Sequence, residues 1–261
     1  MQKYISLSGG VESTTMCILY GKGAKAIFCD TGSEHQKMYD RLDLIENKLK
    51  EIHDGDFELI RIKPQVNQKG LVVDSLTEYI INAKCMPSSL MRFCTRMFKI
   101  EPIDLFLSNV GECELMVGFN ADEEGRTGNL QMMPNVHYTT PLIEDGLNRN
   151  DCEIILRQYD LHPNLPPYMS RGGCKFCFYK SKREYKALYF FNKDEYLEVL
   201  EFEEKIQDKR NKFYAIMQNG ISLRQLMQEC EQEVSMFGTE QMKLMYKDTS
   251  TNQACGAFCH R

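Results

Sequence analysis

Residues 6–13 read Ser6-Leu7-Ser8-Gly9-Gly10-Val11-Glu12-Ser13 (SLSGGVES), and together with their flanks they decide the fold. Residues 3–7 are a short apolar run with strand character, and residues 13–20 are apolar enough for a helix packed on a sheet. Strand, glycine turn and helix open a βαβ unit. At such a turn two glycines let backbone N–H groups approach an anion while the helix presents its positive end. The Ser8 and Ser13 hydroxyls add donors, and Glu12 adds a carboxylate suited to Mg²⁺. An ordinary β-to-α turn, with Gly-Gly serving sterics alone, is the other reading of the same eight residues.

Working outward, residues 24–29 form a second strand that ends in Asp30, Thr31 and Gly32. Residues 34–52 carry Met38, Leu42, Ile45, Leu49 and Ile52 at helical spacing. A third strand at 57–62 is stopped by Pro64, residues 70–83 and 96–109 read as helices, and 114–119 as a fourth strand. Alternating strands and helices predict an α/β, Rossmann-like parallel sheet with helices on both faces, which binds ligands at the carboxyl ends of its strands. The polar clusters at 8–13, 30–34 and 120–126 all follow strands. From Pro163 onward prolines and glycines lead into GGCKFC, followed by a long charged helix at 182–208 and another at 222–235. The expected organisation is an α/β domain over 1–162, a small helical, cysteine-containing C-terminal lobe over 163–246, and a mobile polar tail over 247–261.

The formal net charge of −5 makes the whole surface no general magnet for nucleic acid. No apolar run approaches the roughly 20 residues that cross a bilayer. The first residues lack the basic and apolar regions of a signal peptide, so a cytoplasmic location without membrane contact is expected. There the 11 cysteines are thiols, metal ligands or redox groups rather than a disulfide framework.

SLSGGVES resembles the PP-loop of the adenine-nucleotide α-hydrolases, with Glu12 where ATP pyrophosphatases usually carry Asp. Further segments resemble the 3′-phosphoadenylylsulfate (PAPS) reductase-like family, in that family's order: FCDTGSEH (28–35), MRFCTRMFKIEP (91–102), VGFNADEEGR (117–126) and TTPLIEDGLNRNDC (139–152). GGCKFCFYKSKREYKALY (172–189) is similar to a segment of uncharacterised, often phage-borne members. The resemblance implies an adenine nucleotide, ATP with Mg²⁺ or PAPS, held by Ser6, Ser8, Gly9, Gly10, Val11, Glu12 and Ser13, with Asp30 and Thr31 near the adenosine. It implies Asp122 and Arg126 over the phosphates or sulfonate, beside a catalytic Glu12. Asn120 stands where the family has Arg, so one cation is missing from that element. A helix cap at Asp30 and a solvated charged turn around Arg126 are the alternatives.

Cys174 and Cys177 form a C-x-x-C on a glycine-led turn, a spacing that suits two thiolates on one metal. By resemblance Cys94 would join them on a [4Fe–4S] cluster, either with Cys85 as a fourth ligand or with three cysteines and an open iron, as in sulfur-transfer PP-loop enzymes that thiolate tRNA. Zn²⁺ on the same four, or plain thiols, are the other readings. Cys255-Gly256 in the tail is similar to the nucleophile segment of sulfonucleotide reductases, although Ala254 replaces the acid. Lys175, Lys180, Lys182, Arg183 and Lys186 alternate with Phe176, Phe178, Tyr179 and Tyr185. That mixture binds a polynucleotide by phosphate contacts and stacking, or else packs its rings inward and solvates its lysines.

Three functions follow. ATP is cleaved between its α and β phosphates, adenylating an acceptor for sulfur or nitrogen transfer from a separate donor. Alternatively PAPS is reduced by Cys255 with a thioredoxin-like reductant, or the chain is a nucleotide- and metal-binding module without turnover. The intact SGG and the acid at Glu12 favour the first.

Overall fold

A computed structural model describes residues 1–129, 133–207, 215–217 and 219–247, with backbone alone at 126–129. The chain opens with β1 (Gln2–Ser6), α1 (Val11–Tyr20), β2 (Ala24–Cys29), α2 (Gln36–Ile52) and β3 (Glu58–Ile62). A hairpin of β4 (Val66–Gln68) and β5 (Leu71–Val73) precedes α3 (Leu76–Ala83). A helical turn, α4 (Phe93–Thr95), passes through a π-helical turn at Arg96–Ile100 into α5 (Glu101–Ser108). Then come β6 (Cys113–Met116), a 3-10 segment at Ala121–Asn129, β7 (Val136–Thr139), α6 (Pro141–Glu144) and α7 (Arg149–Gln158). The C-terminal helices are α8 (Lys182–Phe191), α9 (Lys193–Lys205), α10 (Leu223–Phe237) and α11 (Thr239–Tyr246).

The main sheet is parallel throughout, in the order β3-β2-β1-β6-β7. Its register places Ile5 opposite Ala26 on one side and Met116 on the other. These three residues join a core with Met16 of α1, Leu42 and Ile45 of α2, and Leu156 of α7. Tyr4, Ile27 and Leu115 point to the opposite face, against Ile103 and Leu107 of α5. Both faces are therefore buried, as a parallel sheet requires, and the α/β architecture read from the sequence is present.

The elements depart from expectation in three ways. The helix read at 70–83 is a hairpin plus a shorter helix, because Lys69 and Gly70 take φ of 54° and 89° and turn the chain back. The Asn67 side chain receives the Gly70 N–H at 2.9 Å and holds that turn. The long helix at 182–208 breaks at Asn192, which leaves helical dihedrals and caps α9 by accepting the Glu195 N–H. Strand β7 and helices α7 and α11 were not anticipated.

The C-terminal helices share one apolar interior with the first half of the chain. Tyr185, Leu188, Tyr196, Leu200, Leu223 and Leu226 cluster with Met38, Val73, Leu76, Ile80 and Phe98. Inside it Glu203 is 2% exposed and receives the Ile216 N–H at 3.0 Å and the Leu223 N–H at 2.7 Å. Among the described residues no helix is long and apolar enough to cross a membrane.

Candidate functional site

The first two crossovers carry the chain from β1 through β2 to β3, whereas β6 and β7 lie on the other side of β1. The order reverses between β1 and β6, and an open parallel sheet has its ligand crevice beyond the strand ends at that point. Residues 7–10 lie there, between β1 and α1. Gly9 has φ +75°, and a Cβ would stand 3.0 Å from the Met38 Cε. The Ser8 N–H donates to the Ser13 hydroxyl at 3.2 Å, and the two serine hydroxyls lie 3.0 Å apart. Gly10 caps α1 and its N–H donates to the Ser8 hydroxyl at 3.4 Å. Ser6 is the last residue of β1 and is half-buried, whereas the Val11 side chain is in the core and leaves only its backbone to the loop.

Beneath the loop, Arg41 of α2 donates from Nε to the Gly9 carbonyl at 2.8 Å and from Nη2 to the Leu161 carbonyl at 3.0 Å. Burial pulls its pKa down to about 10.

Opposite the loop, Gly118 follows β6 so closely that a Cβ would meet the Ser13 backbone nitrogen at 3.2 Å. This approach brings Asn120 and Asp122 to the first turn of α1. The Glu12 Oε1 receives Asn120 Nδ2 at 3.2 Å and Arg149 Nη1 at 2.7 Å. Asn120 also accepts the Asp122 N–H at 2.9 Å, and Asp122 accepts the Arg149 N–H at 3.4 Å. Burial opposes the charge on Arg149, but Glu12 and Glu153 more than offset it and raise its pKa. Arg149, which the sequence reading did not single out, thus brings a cation to the Glu12 carboxylate beside Asn120. A signal existed: Asn148 and Asp151 make a capping box that starts α7 and fixes Arg149 on its first turn. The Arg126 side chain and Cys255 lie outside the described residues.

Asp30 behaves as a turn and helix anchor. Its Oδ1 accepts the Gly32 N–H at 2.8 Å and the Tyr39 hydroxyl at 2.7 Å. Thr31 is fully buried and donates to Glu34 at 3.1 Å, inward toward the C-x-x-C turn. That turn docks on the loop after β2 through a backbone bridge between Glu34 and Cys174 and a Lys175 N–H to Ser33 carbonyl bond of 3.1 Å. Glu34 is 5% exposed and collects the Cys174 thiol at 3.8 Å and the Lys99 ammonium at 3.7 Å.

The four cysteines proposed as metal ligands are not assembled as a donor set. Cys94 and Cys177 influence each other, as do Cys174 and Cys177, while the Cys85 thiol turns to the Met86 carbonyl at 3.8 Å. Among the described residues no three His, Cys, Asp or Glu side chains group so as to hold a metal ion. Burial first, then Glu34, pushes the Cys174 thiol well up, and burial raises Cys94 as well.

The basic, aromatic stretch after Cys174 faces inward. Phe176, Phe178 and Tyr185 are buried, Lys180 is buried on the Tyr168 carbonyl, and burial lowers its pKa. Lys175 pairs with Glu198, Lys182 with Glu229, and Lys186 with Glu229 and Glu233. The ion pairs and buried rings agree with the reading in which the stretch packs its rings inward.

His35, next to Glu34, is 1% exposed, and its Nδ1 lies 2.9 Å from Glu195 of α9. Burial, then Lys180, lowers its pKa below the ordinary 6.5, against the pull of Glu195. The unfolded chain therefore binds the proton first. This contribution is complete above pH 6.5 and is lost as pH falls toward the lower folded value. Glu195 adds the same sign below 4.5: burial works to raise its pKa, but His35, Lys175 and Lys180 hold it down. The urea midpoint should fall between pH 7.5 and 5.5, and the fall should shrink in His35→Gln. An equal slope in both proteins would rule out His35; His162, whose pKa is also lowered, remains in both.

Residues 2–143 match the family model described as phosphoadenosine phosphosulfate reductase domain. A solved phosphoadenylyl-sulfate (PAPS) reductase from Candida auris, a phosphate complex, aligns with TM-score 0.42 and 14% identity, covering 62% of this chain and 74% of its own. No curated protein matches.

Proposed function

Since the chain belongs to the phosphoadenosine phosphosulfate reductase domain family, we propose that it is an adenine-nucleotide enzyme that cleaves ATP between its α and β phosphates and adenylates an acceptor. The observation that carries this reading is the 2.7 Å Glu12–Arg149 pair at the mouth of the Gly9–Gly10 turn. It places a cation, a carboxylate and the positive end of α1 around one crevice. In the reaction the acceptor's nucleophilic oxygen attacks the α phosphorus, the bond to the β phosphate breaks, and pyrophosphate leaves with the electron pair. Arg149 is placed to neutralise that developing charge, and the loop's outward N–H groups orient the phosphates. Glu12 is a hard oxygen donor suited to the Mg²⁺ that accompanies ATP, an ion that stabilises the leaving pyrophosphate when bound. The adenylated acceptor is then open to attack by a sulfur or nitrogen donor.

Sulfonucleotide reduction is the second reading, favoured by the family and by the Cys255-Gly256 pair. There the Cys255 thiolate attacks the sulfonate sulfur, and the sulfur–oxygen bond to the nucleotide phosphate breaks. A dithiol reductant then attacks the resulting S-sulfocysteine, releases sulfite and is itself oxidised to a disulfide. The two readings separate on products. Wild type and Cys255→Ser should both convert Mg-ATP and a nucleophile to AMP and pyrophosphate. If sulfite from PAPS and a dithiol is the only product, and Cys255→Ser abolishes it, the reductase reading replaces the first. Neither product at any substrate concentration leaves a binding module.

A further inference from the structure

Arg41 is costly where it stands. It is 8% exposed, and among the described residues no carboxylate pairs with it; it donates to the Gly9 and Leu161 carbonyls. A buried charge without a counter-charge is unfavourable, and two carbonyl dipoles offset only part of that. The peptide between Gly9 and Gly10 is trans, and in a planar trans peptide the C=O and N–H point in opposite directions. Holding the Gly9 oxygen inward on a guanidinium therefore turns the Gly10 N–H to the opposite side of the peptide, at the start of α1, where it donates to the Ser8 hydroxyl at 3.4 Å. The αL conformation of Gly9, at φ +75°, is what lets the chain present its carbonyl that way.

We infer that Arg41 is the positioning residue of the phosphate loop: it fixes the Gly9–Gly10 peptide as an outward donor, and phosphate groups on the far side of that peptide supply its missing counter-charge. The inference rests on the nucleotide reading of the loop and assigns a residue that acts through the backbone. It explains why a guanidinium sits here: the planar fork reaches the carbonyls of Gly9 and Leu161 together, which a lysine cannot do.

Calorimetric titration of ATP, adenosine and inorganic pyrophosphate into wild type, Arg41→Met and Arg41→Lys tests it. Arg41→Met should bind ATP and pyrophosphate at least about tenfold more weakly, the factor expected for losing a charge-assisted contact. Its adenosine affinity should be unchanged, and Arg41→Lys should recover part of the loss. Unchanged pyrophosphate and ATP affinity in Arg41→Met overturns the inference. So does an equal loss for adenosine, which marks a general collapse of the site. If Arg41→Met does not fold, Arg41→Gln, which keeps a donor but no charge, is judged by the same criteria. A wild type that takes pyrophosphate but neither ATP nor adenosine sinks the nucleotide reading alone, and Arg41 is then judged on pyrophosphate. A wild type that takes none of the three sinks both.

Discussion

Arg149→Ala is expected to lower ATP turnover on the order of 10²-fold, the scale set by removing one preorganised donor from a developing negative charge. The side chain is half exposed and its pairs with Glu12 and Glu153 are partly solvated, so stability should change by less than about 1 kcal/mol. That contrast is the useful part: activity falls while the melting temperature stays nearly fixed. Arg149→Lys should recover part of the rate, because it keeps the charge but not the fork that reaches Glu12 and Glu153 together. Glu12→Gln should also slow turnover and raise the Mg²⁺ concentration needed for half the rate. Steady-state pyrophosphate release measured against Mg²⁺ separates the two roles. A fully active Arg149→Ala enzyme would remove the observation on which the ATP reading stands.

The largest expected loss of stability lies elsewhere. Glu203→Ala deprives two buried N–H groups, of Ile216 and Leu223, of their acceptors. Each unsatisfied buried donor costs about 1–3 kcal/mol, so the variant should lose about 4 kcal/mol. Glu203→Gln should cost less, since one amide oxygen still accepts while its NH₂ group faces a donor. The chain has no tryptophan, so urea unfolding is best followed by far-ultraviolet circular dichroism. A Glu203→Ala midpoint equal to that of wild type would show that solvent reaches both amides.

The fold was legible because its decisive signals are local. The apolar run before Gly9, the glycine pair and the Met38, Leu42, Ile45, Leu49 spacing depend on neighbours only a few residues apart. Half of the candidate site was legible for the same reason, since the loop and Glu12 are contiguous. The other half depends on where β6 falls in the sheet. Nothing near Arg149 in sequence states that α7 begins against α1, and nothing near Arg41 states that its helix face lies under Gly9. The cysteine set depends on longer range. Spacing within C-x-x-C is a local property, but whether Cys85 and Cys94 join it depends on the turn at 84–92 and on the π-helical turn at Arg96–Ile100. The charged helix at 182–208 misled as well. Its Lys182 and Lys186 read as a surface until the acids of α10, Glu229 and Glu233, are set beside them.

The apolar interior that joins α8 to α11 with Met38, Val73, Leu76, Ile80 and Phe98 governs how this molecule can be taken apart. Cutting the chain at residue 162 strips the cover from those five side chains and takes away the turn that holds Glu34. Such a truncation leaves a sticky half rather than a portable phosphate-binding cassette. Any graft of the SGG loop into a fusion protein has to bring the terminal helices along.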